Sequence, residues 1–414
     1  MWVEFFEKRS TTIYAGLCFA FPVLLGTVKN WHSGLFLLAC LFGVFSLKGI
    51  SWHEIPKELK VFFYAVVIFL IACLVSLLNA DDLYQGVKRI TKLSYLLGFF
   101  VLAASAGRVR ADLSRYYLRG IYFGAFVLLG VATYQTFFLG MERAQGITHP
   151  IVFGNVGMLF GGLLFISALY KPGRAHWLLS GLALGAALTA SLLSGSRGGW
   201  LALPIVLVFV PMVAARTPSV RRKRLIFSVV ILMMVGVAIG FSERMDTRIN
   251  QAFSDVKSFT SGQNLNTSLG QRFLMWKIAW EQFQRHPLIG SGIGDFKHDS
   301  IDAMETGESQ LNYERSHAHN IFFEMLGNTG LLGLLSMLMA IIVVPFVLFY
   351  KGWENAGSEN QRRVALSGLL IVVFFVIFGF SESWISRSPF MIFYSFSLSV
   401  FYSSLRFLKK LEKG

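Results

Sequence analysis

The 414 residues are 54% hydrophobic and 15% aromatic but only 15% charged, a mix that excludes an ordinary soluble globular protein. A net charge of +15 would suit a nucleic-acid binder, yet the Lys and Arg are spread over alternating loops, which orients helices in a bilayer and builds no single groove. Cys18, Cys40 and Cys73 all fall in apolar blocks and no Cys/His cluster has metal-ligand spacing, so neither a disulfide framework nor a metal or other cofactor is expected.

In chain order, apolar blocks are predicted to form spans near 11–28, 33–48, 61–78, 93–107, 122–139, 151–170, 177–194, 200–215, 224–242, 330–350, 364–380 and 389–405. Crossing a hydrocarbon core takes roughly 20 helical residues, so the expectation is an all-α integral membrane protein with about twelve transmembrane helices. The first block lacks a small-residue cleavage site, and no cleavable signal is read. Basic residues concentrate on one set of loops, among them Lys57, Lys60, Arg115, Arg119, Lys351 and Arg362. The positive-inside bias makes that side cytoplasmic, with both termini there and residues 243–318 outside. Three parts follow: 1–242 with nine spans, 243–318 as one large outer loop, and 319–414 with three more spans.

The outer loop is nearly neutral and too long for a turn. Gln271 to Arg285 reads as an amphipathic helix whose Phe273, Trp276, Trp280 and Phe283 recur at helical spacing, suiting a membrane surface. A glycine-punctuated turn follows, His286-Pro287-Leu288-Ile289-Gly290-Ser291-Gly292-Ile293-Gly294. A short helix from about Ala318 to Gly327 precedes the tenth span, with Ser316 as its N-cap.

Three outer-face residues carry the chemistry best. Arg197 lies in the turn Ser194-Gly195-Ser196-Arg197-Gly198-Gly199, where a basic residue runs against the positive-inside bias and the glycines leave room for a ligand. Its bland alternative is a snorkelling anchor. A guanidinium suits bidentate phosphate contact. Arg272 opens the amphipathic helix and could equally be a solvated charge. His319, in the first turn of the Ala318 helix, would be kept neutral by the helix's positive end, as a general base requires; an interfacial hydrogen-bonded histidine is the alternative. Further candidates on this face are Lys88, Arg89, Lys92, Arg143, His149, His317 and Arg387, with Asp81 and Asp82 as ion-pair partners for the first two, and helix capping the alternative for Arg143 and His149. Glu324 could pair with a cation or face the headgroups. Asp302, Glu305 and Glu308 read as a solvated acidic stretch.

Three patterns resemble a known superfamily. Arg197 is followed after three residues by Leu201, His319 after ten residues by Gly330, and Arg272-Phe273-Leu274-Met275-Trp276 precedes a His-Pro-Leu-x-Gly-x-Gly turn. In that order, flanking a large loop between the ninth and tenth spans, they resemble the bacterial O-antigen ligases, within a superfamily shared with O-antigen polymerases and protein O-oligosaccharyltransferases. The resemblance implies a GT-C-like glycosyltransferase of the inner membrane with a periplasmic active site. It implies transfer of polysaccharide en bloc from undecaprenyl diphosphate to a sugar hydroxyl of lipid A–core oligosaccharide, by a metal-independent inverting displacement. His319, Arg197 and Arg272 would be the catalytic set. Lys88, Arg89, Arg143, His149, His317 and Arg387 would contact the diphosphate and sugars. A polymerase or protein oligosaccharyltransferase differs in acceptor. A flippase or transporter would need ionisable residues at mid-membrane depth, and the predicted spans nearly lack them.

Overall fold

A computed structural model describes residues 2–25, 30–109, 111–170, 173–200, 202 and 267–412. Among these residues the chain is helical and without strands. The helices are α1 Trp2–Leu24, α2 Trp31–Leu47, α3 Lys57–Ser76, α4 Leu83–Leu93, α5 Leu97–Ser105, α6 Leu113–Thr133, α7 Pro150–Tyr170, α8 Arg174–Leu193 and the single turn α9 Arg197–Trp200. After the outer loop's first part come α10 Ser268–Arg285, α11 Phe296–Glu305, α12 Ile321–Met337, α13 Val344–Glu354, α14 Glu359–Gly379 and α15 Ser388–Leu411.

Among the described residues seven helical stretches are long and apolar enough to cross a membrane: Lys57–Asn79, Leu113–Phe138, Pro150–Tyr170, Ala175–Leu193, Ile321–Glu354, Glu359–Gly379 and Ser388–Leu411. Ser10–Leu24 and Trp31–Leu47 are shorter apolar helices. The expected spans at 200–215 and 224–242, and the loop up to residue 266, lie outside the described residues. The fourth expected span, 93–107, is a nine-residue α-helix with a 3-10 turn at each end, so it is shorter and more broken than its apolar run implied.

α7, α14 and α15 are buried along most of their length, whereas α3 and α6 present one side outward. α7 can lie at the centre because Gly154, Gly157 and Gly161 face α8 and the turn after it; a Cβ at 157 would press on the Ala187 carbonyl oxygen at 2.7 Å. The cysteines are free, with Cys18 and Cys73 buried.

Outside the bundle, α10 and α11 share a separate small core of Leu274, Met275, Ile278, Ala279, Phe296, Ala303, Leu311 and Ala318. The aliphatic face of α10, not its aromatic residues, makes that core. Trp276 is turned inward, while Trp280 stays 45% exposed. The helix starts at Ser268 under a Thr267 cap, so Arg272 sits in its second turn and does not open it.

α10 and α11 with their small core form a cap on the bundle, fastened to it by the glycine turn. α12 is broken at Gly330 (φ 60, ψ −161), and the backbone of 287–292 fills the break. Leu331 and Leu332 N–H donate to the Pro287 and Leu288 carbonyls, and Ser291 and Gly292 N–H donate to those of Gly327 and Asn328. A Cβ at Gly290 or Gly330 would overlap the opposing backbone, and both have positive φ, so only glycine fits. The turn also rests on the C-terminal end of α3, where Asn79 Nδ2 donates to the Gly290 carbonyl at 2.8 Å.

Candidate active site

The segment entering α12 is held on both sides. Trp276 Nε1 donates to the Ala318 carbonyl at 3.1 Å, with its ring stacked on Phe323 at 5.4 Å. Glu324 Oε2 accepts from Ala318 N–H at 3.2 Å. Asn320 caps the helix, its Oδ1 accepting from Phe322 and Phe323 N–H. α12 therefore begins at Ile321, not near Ala318, and Asn320 replaces the expected Ser316 cap. His319 lies just outside the helix rather than in its first turn. It is left at φ 52, a left-handed conformation that costs a non-glycine residue roughly 1–2 kcal/mol.

That turn brings the rings of His317 and His319 within 4.0 Å of each other, centroid to centroid. Both face Glu382, which is fully buried in the turn between α14 and α15. His319 Nδ1 lies 3.3 Å from Glu382 Oε2, an ion-pair distance whose angles fall short of a hydrogen bond. His317 Nε2 and Arg387 Nε approach Oε1 at 3.9 and 3.5 Å. Burial pushes the Glu382 carboxyl up, but contact with His319 and the charges of His317, His319 and Arg387 outweigh it and hold it at about 2. Burial and the charge of His319 push His317 down to about 3. The outcome is a carboxylate facing a neutral His317, with His319 the more exposed of the two histidines.

Cations surround this group. Arg89 Nη2 donates to the Ser316 carbonyl at 2.9 Å and pairs with the buried Glu324 at 3.9 Å; its Nη1 is buried with no hydrogen-bond partner among the described residues. Lys92 Nζ donates to the Ser386 carbonyl at 2.8 Å. Burial, then the charges of Arg89, Lys88 and Arg387, lower Lys92 to about 8. Burial also lowers Arg272, against the charge of Glu382. His149 is lowered by burial first and then by Arg387, so it too shares this field; its Nδ1 accepts from Ile151 N–H and caps α7. Arg143 Nε donates to the Ser194 carbonyl at 2.9 Å, closing the end of α8. Lys88 stands apart, exposed, with Nζ 5.8 Å from the Tyr84 ring. Asp81 and Asp82 do not take up Lys88 or Arg89 in any described contact: Asp82 caps α4 and Asp81 lies 3.4 Å from His298. Asp302, Glu305 and Glu308 are exposed, as expected of a solvated stretch, with Glu308 paired to Arg285.

The side chain of Arg197 lies outside the described residues. Its turn does not. The glycines beside it are occupied by protein, since a Cβ at 198 would overlap Ser381 Oγ and one at 199 would meet Asn155 Oδ1 at 2.5 Å. They bring the α9 turn against the residue preceding Glu382, which is their use here in place of the ligand access expected. Glu382 itself escaped the sequence reading. Its signal was an acidic residue in Ser381-Glu382-Ser383, between two apolar spans on the expected outer side, where a carboxylate needs a reason to be.

His317, His319 and Glu382 offer ligand atoms all within 4.8 Å of one another, so they could also hold a divalent cation. The Arg387 guanidinium beside the same carboxylate works against that, because it already supplies the positive charge.

Residues 182–338 match a family model described as O-Antigen ligase. The match takes in Arg197, Arg272, His317, His319 and Gly330 and ends before Glu382 and Arg387. The chain is 27% identical over 398 residues to an uncharacterized protein of Haemophilus influenzae, covering 94% of this chain and 97% of that one. It is 23% identical over 400 residues to an O-antigen ligase of Escherichia coli, covering 94% of this chain and 86% of the relative. The resemblance read from the sequence is borne out by these matches.

Proposed function

We propose that the protein is an O-antigen ligase, moving a polysaccharide en bloc from undecaprenyl diphosphate to a sugar hydroxyl of lipid A–core oligosaccharide at the periplasmic face of the inner membrane. The observation that carries this reading is the His319–Glu382 contact, a strained histidine on a buried carboxylate with cations on several sides. With Nδ1 turned to Glu382, a ring proton on that nitrogen faces the carboxylate and Nε2 is left to accept. The acceptor hydroxyl gives its proton to Nε2 as its oxygen bonds to the anomeric carbon. The bond from that carbon to the diphosphate oxygen breaks on the opposite side, which inverts the centre and releases undecaprenyl diphosphate. Negative charge grows on the leaving group, and fixed guanidiniums meet it without reorganisation. Arg89, with a buried nitrogen that has no partner among the described residues, and Arg272 and Arg387 are the groups for this, joined by Arg197 on its turn. Lys92, Arg143, His149 and His317 shape the field around them.

Purified protein reconstituted with lipid-linked glycan and lipid A–core tests the proposal. A high-mass glycolipid is expected from wild type and lost in His319→Ala. Glycan appearing only on a second lipid-linked glycan would make the protein a polymerase and overturn the ligase reading.

A further inference from the structure

At the end of the bundle remote from His319, a groove of about 780 Å³ opens between α3, α12–α13 and α15. Its two halves differ in chemistry. Val61, Met339, Val343, Val344, Val347 and Leu348 wall one half, and Val61, Met339, Val343 and Val347 are each at least 41% exposed. Lys57, Lys351, Arg406, Lys409 and Lys410 rim the other half. The acidic residue in the lining, Glu58, accepts from the Tyr402 hydroxyl at 3.0 Å, and one carboxylate against five cations leaves the rim net positive. A π-helical stretch, Leu338–Val343, followed by Pro345 shapes the α12–α13 wall. From Met339 to Lys351 that wall runs roughly 18 Å at helical rise. This is far longer than a headgroup and comparable to much of an acyl chain's depth in one leaflet.

We infer that this groove is a binding site for an anionic phospholipid, its phosphate on the Lys351/Arg406/Lys410 rim and an acyl chain along the valine wall. A free phosphate or soluble diphosphate has the same charge chemistry, but it makes no use of the apolar half. Each Lys or Arg close to an anionic lipid surface strengthens binding by about fivefold, and basic pockets between helices take anionic headgroups; a zwitterionic lipid does not share that gain.

The test is native mass spectrometry of the full chain, delipidated and titrated separately with phosphatidylglycerol, phosphatidylethanolamine and inorganic phosphate. Retention of phosphatidylglycerol about tenfold or more above phosphatidylethanolamine is expected, undisturbed by millimolar phosphate. Lys351→Gln with Arg406→Gln and Lys410→Gln should lower it by about a hundredfold, and the single Lys351→Gln by about fivefold, whereas Lys351→Arg, which keeps the charge, should bind as wild type does. Val343→Trp, which fills the apolar half and leaves every charge, should also abolish retention. Equal retention of the two lipids overturns the proposal, as does displacement by phosphate with Val343→Trp still binding, which would mark a soluble-anion site.

Discussion

Glu382 and His319 can be separated from the surrounding cations by what each substitution leaves behind. Glu382→Gln keeps the volume and removes the charge that faces His319, His317 and Arg387. If Glu382 positions the base, kcat should fall by about 10- to 100-fold with KM little changed, and Glu382→Asp should recover part of it. Initial rates in the reconstituted transfer assay decide this; an unchanged kcat in Glu382→Gln removes the carboxylate from the mechanism. The same assay addresses the histidine–carboxylate triad as a metal site. With guanidiniums meeting the leaving group, full activity is expected in excess EDTA, and a loss restored by one divalent ion would reassign His317, His319 and Glu382 as ligands.

The elements explain why short patterns far apart in sequence belong together. His-Pro-Leu-x-Gly-x-Gly and the spacing from His319 to Gly330 are two sides of one joint, in which the 287–292 turn fills the break in α12. Gly330→Ala adds a methyl where Leu288 and Ile289 backbone already sits, and at positive φ. A loss of about 3 kcal/mol or more is expected from combined overlap and backbone strain. In detergent this should appear as a lowered Tm and as new proteolysis near 286–292; a Tm within about a degree of wild type would sink the joint. Both glycine patterns were legible as motifs, because each spacing can be read along one strand of sequence. Their pairing was not, since it depends on the intervening chain, residues 293–326, folding α11 out of the way. The same holds at Gly198 against Ser381, which joins segments on either side of the outer loop. Spans were legible because about 20 apolar residues mean the same thing in any fold. The helix start at Ile321 was missed because Trp276 and Glu324 bind the Ala318 backbone and withdraw it from the helix.

At the scale of the molecule the described residues form two cores, the bundle's and the small one of α10 and α11, and the site lies where they meet. Besides the glycine joint, their contact runs through Asp295, while Asp299 fastens the joint's own Ser291 to α11. Asp295 accepts from Asp81 and Asp82 N–H in the turn that leads into α4, and Ser291 Oγ donates to Asp299 Oδ2 at 2.8 Å. Burial raises the Asp299 carboxyl to about 7, with the Ser291 bond and His298 opposing and Asp295 and Asp302 adding to it. Burial raises Asp295 as well, against the two backbone bonds. A carboxyl raised on folding favours the folded form when protonated, so its contribution is complete below about pH 4 and is lost as pH rises through about 7. The ceiling for Asp299 is about 4 kcal/mol. Hydrogen exchange over 291–300, corrected for the intrinsic pH dependence, should therefore speed up between about pH 5 and pH 8 and level off above it. Asp299→Asn stays neutral and can still accept from Ser291, so it should hold the slow rate at both ends. A wild-type rate independent of pH, or an Asn variant that follows wild type, would mean that the cap is held by the glycine joint alone and that Asp299 bears no part of its attachment.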